Sequence, residues 1–225
     1  MATKTTETIE IKKVEMKTVT VRIKGISPLI VHAWSEKAKK EMLDKQTGKT
    51  KGANKKVNKN PVGEFAEACY WMDGKPDVAY SDWDEETFEQ YAKDARFGFP
   101  AVAVKAAAIS SAYRQGYSKN KVSLQGAFFI KGEGENQLVE IKGCKPILKE
   151  DMVVIGGVSR TADIRFRPQF DDWYMDLEIM YDVNGNLNLE DIVNMIDLGG
   201  YTCGLGEWRI EKGGNFGQFA VEAIA

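Results

Sequence analysis

The segment WYMDLEIMYDVNGNLNLEDIVNMIDLG, residues 173–199, carries the clearest structural pattern in the chain. In its first nine residues a more apolar set of side chains alternates with a more polar set, which is the two-residue period of a strand with one buried side. Asn184-Gly185 predicts a tight turn after this strand. Asn188 and Asp191 then predict a capping box, and Gly199 is expected to end the helix. The apolar residues of that helix recur at i, i+3, i+4 and i+7, namely Leu189, Ile192, Val193 and Ile196.

The rest of the chain extends this pattern in both directions. Thr18–Lys24 alternates cleanly and predicts a half-buried strand, and Phe216–Ile224 predicts a final one. Pro61 and Asp84 each begin a predicted helix, the second with Tyr91 facing inward. A third helix is expected over Ala101–Arg114, where small side chains permit close packing. Pro100 is expected to start it, after a break at Phe97–Pro100.

This order of elements defines the expected fold class. We predict an α+β protein with a mainly antiparallel, ferredoxin-like sheet, helices on one side and an inserted basic loop. A chain of 225 residues favours a single domain, taken here as 1–225.

Composition excludes several classes of protein. The 31 basic and 33 acidic side chains give a net charge of −2, and no apolar run approaches the ~20 residues of a membrane helix. The start of the chain lacks a signal-peptide core, and Cys69, Cys144 and Cys203 are widely spaced, so a reducing, cytoplasmic location is expected. His32 is the only histidine, which excludes sites built on two imidazoles. We expect no metal and no cofactor.

The small net charge hides two regions of opposite sign. Lysines are concentrated between Lys37 and Lys59, whereas acids dominate from Asp73 to Asp94. The stretch 45–60 has too few apolar side chains to bury, and it predicts a flexible basic loop. Two interpretations stay open: a solvated insertion without a partner, or an arm that follows a polyanion through counterion release. The lysines proposed for nucleic-acid contact are Lys49, Lys51, Lys55 and Lys56.

A glycine-rich segment follows the helix described first. It reads GGYTCGLGEWR over residues 199–209 and continues as GGNFG over residues 213–217. Glycine N–H groups at Gly204 and Gly206 can approach a phosphate closely, while Trp208 and Arg209 offer a stacking surface and an exposed positive charge. The alternative is a pair of structural turns before the last strand.

This segment, read on to GGNFGQFAV, resembles the C-terminal signature of the RAMP superfamily, the ferredoxin-like RNA-binding proteins of CRISPR effector complexes. A second resemblance lies in GFPAVAVKAA, residues 98–107, which is similar to a loop and helix of the backbone-forming subunits. The resemblance implies RNA binding, a basic contact at Lys105 and repeated subunits along a strand. A relative carried by a phage or another mobile element fits it equally well.

Two further candidate sites come from single residues. Arg165 and Arg167 lie on one face of a predicted strand, at a spacing that matches successive phosphates. Pairing with nearby carboxylates such as Asp163 is the alternative. His32 lies where some RAMP ribonucleases place a histidine that acts as general acid or base, but a packed or capping imidazole is favoured.

Together these patterns favour a non-enzymatic protein that binds single-stranded RNA or DNA, RNA in preference, as a homo-oligomer or a subunit of a nucleoprotein complex. One alternative is a phage-borne interaction protein, or a counter-defence protein that binds a nucleotide signal. A second is a metal-independent endoribonuclease that uses His32.

Overall fold

The computed structural model describes residues 13–48, 58–155 and 161–224. The elements, in chain order, are β1 (Met16–Gly25), β2 (Leu29–Ile30), α1 (Glu36–Gln46), α2 (Pro61–Ala68), a 3₁₀ turn (Tyr80–Asp82), α3 (Glu85–Ala92), β3 (Phe97–Pro100), α4 (Ala101–Arg114), α5 (Lys121–Gln125), β4 (Phe128–Lys131), β5 (Leu138–Ile141), β6 (Ile147–Ile155), β7 (Thr161–Phe170), β8 (Tyr174–Asp182), α6 (Leu189–Thr202), a second 3₁₀ turn (Ile210–Lys212) and β9 (Phe219–Ile224). No helix among these is long and apolar enough to cross a bilayer.

The main sheet has four strands in the spatial order β4-β8-β1-β9, and all neighbouring pairs are antiparallel. Val21 lies opposite Leu177 in the β1–β8 pair, and both side chains are fully buried. On the other face, Arg22 lies opposite Asp176 and donates to it over 2.7 Å. The alternation predicted for both strands is therefore confirmed, because one face packs into the core and the other forms ion pairs.

Helices α4 and α6 pack against each other and contribute to the same core as the main sheet. The capping box at Asn188 is confirmed, but the prediction that Gly199 ends α6 is wrong, since the helix runs to Thr202. A Cβ on Gly199 would lie 2.8 Å from the backbone nitrogen of Ala108 in α4. The missing side chain of Gly199 therefore permits close contact between α4 and α6. A glycine inside a helix destabilises it only modestly.

Two smaller sheets complete the described structure. One has the order β2-β7-β6 and the other pairs β3 with β5. Strand β3 covers Phe97–Pro100, where the sequence predicts a break between helices; its pairing with β5, together with a bridge from Phe97 to Trp71, makes this short segment a strand. The α+β class with mainly antiparallel sheets is confirmed, but three sheets are present among the described residues. Tyr91 is exposed, so its predicted inward orientation is wrong.

The boundaries of the predicted basic loop differ from those expected. Lys45 and Gln46 form the last turn of α1, and the Asn60 side chain accepts a hydrogen bond from Gly63 N to cap α2. The four lysines proposed for nucleic-acid contact lie outside the described residues: Lys49, Lys51, Lys55 and Lys56.

Candidate functional site

Three adjoining cavities surround the segment between β2 and α1, with volumes of about 400, 260 and 410 Å³. His32 lines the first and second, Ala33 and Ser35 line the second and third, and Tyr70 lines the first and third. The shared residues show that the three cavities adjoin one another along residues 32–35, and the three together are called the His32 groove below.

Backbone hydrogen bonds hold the floor of this groove in place. Val31 N donates to Pro168 O over 3.0 Å, and Ala33 N donates to Ala68 O over 2.9 Å. Val31 is fully buried, whereas Trp34 leaves 60% of its surface exposed on the edge of the third cavity. The apolar run before His32 thus anchors the segment and turns an indole ring toward solvent.

His32 lies at the centre of a polar cluster. Its Nδ1 is 4.0 Å from Oε1 of Glu207, and its carbonyl accepts a hydrogen bond from the Tyr70 hydroxyl over 3.3 Å. Burial lowers the pKa of His32, and the positive charge of Arg167 lowers it further against the opposing effect of Glu207. Burial also raises the pKa of Tyr70. Near pH 7 the site therefore presents a neutral imidazole and a protonated phenol, with the Glu207 side chain beside the imidazole.

The two arginines of β7 share one face of the strand, as predicted. Arg165 Nε is 2.8 Å from Oδ2 of Asp163, and Arg165 lines the second cavity. Arg167 is 92% buried; its Nη1 is 3.4 Å from Asp151 Oδ2 and its Nη2 4.0 Å from Glu207 Oε2. Its Nε has no hydrogen-bond partner among the described residues. Both arginines therefore pair with carboxylates, which is the alternative to phosphate contact given in the sequence analysis.

Other cations at the groove are also paired. Lys59 Nζ lies 3.1 Å from Asp163 and 3.3 Å from Glu64, and Lys75 Nζ lies 3.2 Å from Glu67. Both lysines therefore already have carboxylate partners at the groove.

The glycine-rich loop packs against β2 and also lines the first cavity. Gly206 has φ +72°, and a Cβ there would overlap the carbonyl oxygen of Ile30, which accepts a hydrogen bond from Glu207 N over 2.9 Å. Gly204 has the same positive φ. The structural-turn alternative therefore accounts for Gly206, because close backbone approach requires the missing side chain.

The prediction that Arg209 is exposed and unpaired is wrong. Its Nη2 lies 2.8 Å from Glu211 Oε2, and its Nη1 donates to Gly206 O over 3.2 Å. Burial alone raises the pKa of Glu211, but hydrogen bonds from Arg209 and Arg114 outweigh it and lower that pKa to about 2. Trp208 is partly exposed and does not line the groove cavities.

Of the predicted contacts, the structure gathers Arg165, Gly204, Gly206 and Arg209 around the groove, with Arg167 behind them. Lys105 is elsewhere: its Nζ lies 4.5 Å from the ring centre of Phe129. Sequence reasoning missed Tyr70, and it placed Lys59 in the basic stretch 45–60 without proposing it as a contact. The relation of both residues to His32 depends on how α2 docks on β7. Among the described residues, no cluster of His, Cys, Asp and Glu side chains is suited to hold a metal ion.

Comparison of the chain with protein-family models and with curated proteins finds no match. The resemblance to RAMP proteins thus rests on its two short segments, and function is argued below from the groove.

Proposed function

We propose that this protein binds single-stranded nucleic acid along the His32 groove, as a binding protein rather than an enzyme. The observation that carries the proposal is the exposed indole of Trp34 at a groove edged by Lys39, Lys59, Lys75 and Arg165. Every base offers a π-face to an aromatic ring, and cations beside the ring attract the phosphates, which is how sequence-tolerant single-strand sites are built. The preference for RNA over DNA rests on the resemblance to RAMP proteins.

The proposal includes a ferredoxin-like core, and the order of the main sheet supports it. In chain order the strands are β1, β4, β8 and β9, with α4 between the first two and α6 between the last two. The spatial order β4-β8-β1-β9 is the one that a βαββαβ unit adopts. In this arrangement the segment after β2 and the glycine-rich loop before β9 meet at the groove.

The ion pairs set the expected strength of binding. Arg165 and Lys59 already contact Asp163 and Glu64, so a phosphate must replace a carboxylate. A guanidinium can make that exchange because its planar fork fits both groups. We therefore expect moderate, strongly salt-dependent affinity, with additional charge from the lysines at residues 49–56.

The test measures fluorescence anisotropy of labelled RNA and DNA oligonucleotides of matched sequence at several salt concentrations. Trp34→Ala should weaken binding by about 1–3 kcal/mol through loss of stacking. Arg165→Gln should weaken it and reduce the salt slope by about one.

Two matched controls probe residues outside the groove. Tyr201→Ala removes an aromatic ring of similar exposure from α6, and Lys131→Gln removes a paired cation from β4. Equal losses for Trp34→Ala and Tyr201→Ala, or no binding by the wild type, would contradict the proposed site.

A second candidate function is metal-independent RNA cleavage, favoured by the neutral His32 imidazole beside Glu207. A neutral imidazole can accept the proton of a 2′-hydroxyl. Incubation of hairpin RNA in EDTA with wild type and His32→Ala tests it. Cleavage by the wild type alone supports the candidate, and intact RNA in both samples contradicts it.

A further inference from the structure

One acidic side chain at the His32 groove differs from the others in its contacts. Glu64, which lines the second cavity, pairs with Lys59 over 3.3 Å. In the first cavity, Glu207 Oε1 is 4.0 Å from His32 Nδ1 and Glu207 Oε2 is 4.0 Å from Arg167 Nη2. Within the described parts of the chain, no group donates a hydrogen bond to this side chain. Because an acidic group is a poor partner for phosphate, the two oxygens of Glu207 suit contact with a base rather than with the backbone of a bound strand.

The walls of the first cavity suit a flat ring. Ala103, Ala106 and Ala107 of α4 line it, and these small side chains leave a volume of about 400 Å³. Tyr70 and Phe99 line the same cavity, with ring centres 6.1 Å apart and planes at 84°. The volume lies within the roughly 300–1,000 Å³ of small-molecule pockets, so one nucleoside can enter. The cavity can therefore receive a base that has left the stack of a bound strand.

Arg209 adds hydrogen-bond donors to the same cavity. Its side chain is 30% exposed and lines the cavity together with Glu207. Two hydrogen bonds to Glu211 Oε2 and one to Gly206 O use three of its donors. A guanidinium has five N–H donors, so it retains capacity for a ligand. The cavity thus offers a pair of acceptors at Glu207 and a donor group two residues further along the loop.

We propose that the first cavity binds a single guanine base of the bound strand. The two side-chain oxygens of Glu207 accept hydrogen bonds from the guanine N1–H and N2–H groups, and Arg209 donates to its O6. Guanine is the only one of the common bases that presents two neighbouring N–H donors on its Watson–Crick edge. The other bases leave at least one oxygen of Glu207 unpaired, and a missing hydrogen bond of this kind is what a polar site uses to reject a ligand.

The inference rests on the proposed function, because it assigns a base preference to one cavity of the same groove. The two can nevertheless fail separately. Trp34 lines the third cavity and not the first, and stacking on its ring accepts every base. Affinity common to all sequences therefore arises at Trp34 and the neighbouring cations, whereas the preference for guanine arises at Glu207 and Arg209.

The experiment measures the fluorescence anisotropy of labelled oligouridylates of equal length, which carry one central guanine, adenine or cytosine, or uridine throughout. The wild type should bind the guanine strand about tenfold more tightly than the others, which is within the discrimination of one bidentate base contact. Glu207→Gln replaces two acceptors by an acceptor beside a donor. Adenine and cytosine present the matching N–H beside a bare ring nitrogen, so this variant should lose the guanine preference and favour those two strands. Glu178→Gln, an exposed change on β8, is the matched control and should keep the wild-type preference.

A second variant, Ala106→Leu, fills the first cavity from an exposed position on α4. It should reduce the affinity for the guanine strand to that for the uridine strand and leave the latter unchanged. Both substituted side chains are accessible to solvent, so melting temperatures should match the wild type. Equal wild-type affinity for all four strands, or a guanine preference that survives either variant, would overturn the inference and leave the proposed function intact. A wild type that binds none of the strands would overturn both.

Discussion

The main sheet with α4 and α6 differs from the His32 groove in what holds it together. In this region, apolar side chains such as Ile179 of β8 and Ile192 of α6 are fully buried, and the outer face of the sheet carries ion pairs such as Arg22–Asp176. Around the groove, part-buried cations and carboxylates such as Arg165 and Asp163 pair within a few ångströms. Substitutions in the sheet should therefore alter the free energy of unfolding, and substitutions in the groove should alter affinity. The glycine-rich loop belongs to both regions.

The largest expected effect tests that shared loop. Gly206→Ala should destabilise the protein by about 3–5 kcal/mol, because a Cβ overlaps Ile30 O and the residue has positive φ. Gly213→Ala has a similar φ of +80° but open space, so it isolates the backbone strain and should cost about 1–2 kcal/mol. Urea unfolding measures both. Equal losses would place Gly206 away from β2.

The next effect concerns the core below α6. Ile192→Ala and Ile196→Ala should each cost about 2–5 kcal/mol, since both side chains are fully buried. Tyr201→Ala, on the same helix and 70% exposed, should change the free energy of unfolding by less than about 0.5 kcal/mol. Chemical denaturation of the three variants decides whether the assigned face of α6 is correct.

A pH-dependent effect separates the ion-paired region from the apolar one. Glu211 has a native pKa of about 2, below the 4.5 of the unfolded chain, so its charge stabilises the fold above pH 4.5. That contribution is lost as the pH falls from 4.5 to 2. After allowance for solvent screening, Glu211→Gln should be less stable than the wild type by about 1–2 kcal/mol at pH 7.

The difference in the free energy of unfolding between Glu211→Gln and the wild type should narrow as the pH falls from 4.5 to 2. Unfolding followed by circular dichroism at several pH values measures it. Glu178→Gln, which removes an exposed partner of Lys131, serves as the control and should show a gap below about 0.5 kcal/mol throughout. A constant gap for Glu211→Gln would show that its carboxylate does not titrate in this range.

The smallest expected effect sharpens the boundary of the groove. Lys105→Gln should change oligonucleotide affinity by less than about twofold, some 0.4 kcal/mol, because Lys105 lies over the Phe129 ring outside the three cavities. Arg165→Gln provides the comparison within the groove. If Lys105→Gln weakens binding as much as Arg165→Gln, the nucleic-acid path crosses α4 and the assigned groove is wrong.

Several predictions from the sequence succeeded because their signals are local. The alternation in Thr18–Lys24, the alternation in Trp173–Tyr181 and the capping box at Asn188 each depend on neighbours within a few residues. The failures share a different cause. Glycine is a common residue at helix ends, but Gly199 lies inside α6, where its missing side chain lets α4 pack closely. Phe97–Pro100 is a strand because distant segments, β5 and the bridge at Trp71, are its partners.

The candidate site shows the same division. From the sequence, Arg165 and Arg167 were placed on one face of a strand, and His32 was selected as the lone imidazole. The neighbours that define their chemistry come from distant parts of the chain: Tyr70 is 38 residues from His32 and donates to its carbonyl. Such pairs carry no short-range signal, so periodicity cannot predict them.

The sequence by itself determined which faces of the strands and helices are apolar, where most helices begin and which segments carry excess charge. These properties depend on side-chain chemistry and on the periods of the backbone, which every residue expresses locally. Tertiary structure alone decided that three sheets form among the described residues, that Arg114 pairs with Glu211 and that two of the cavities meet at His32. The reason is physical: strand pairing, ion pairing and cavity shape are set by contacts between segments far apart in sequence.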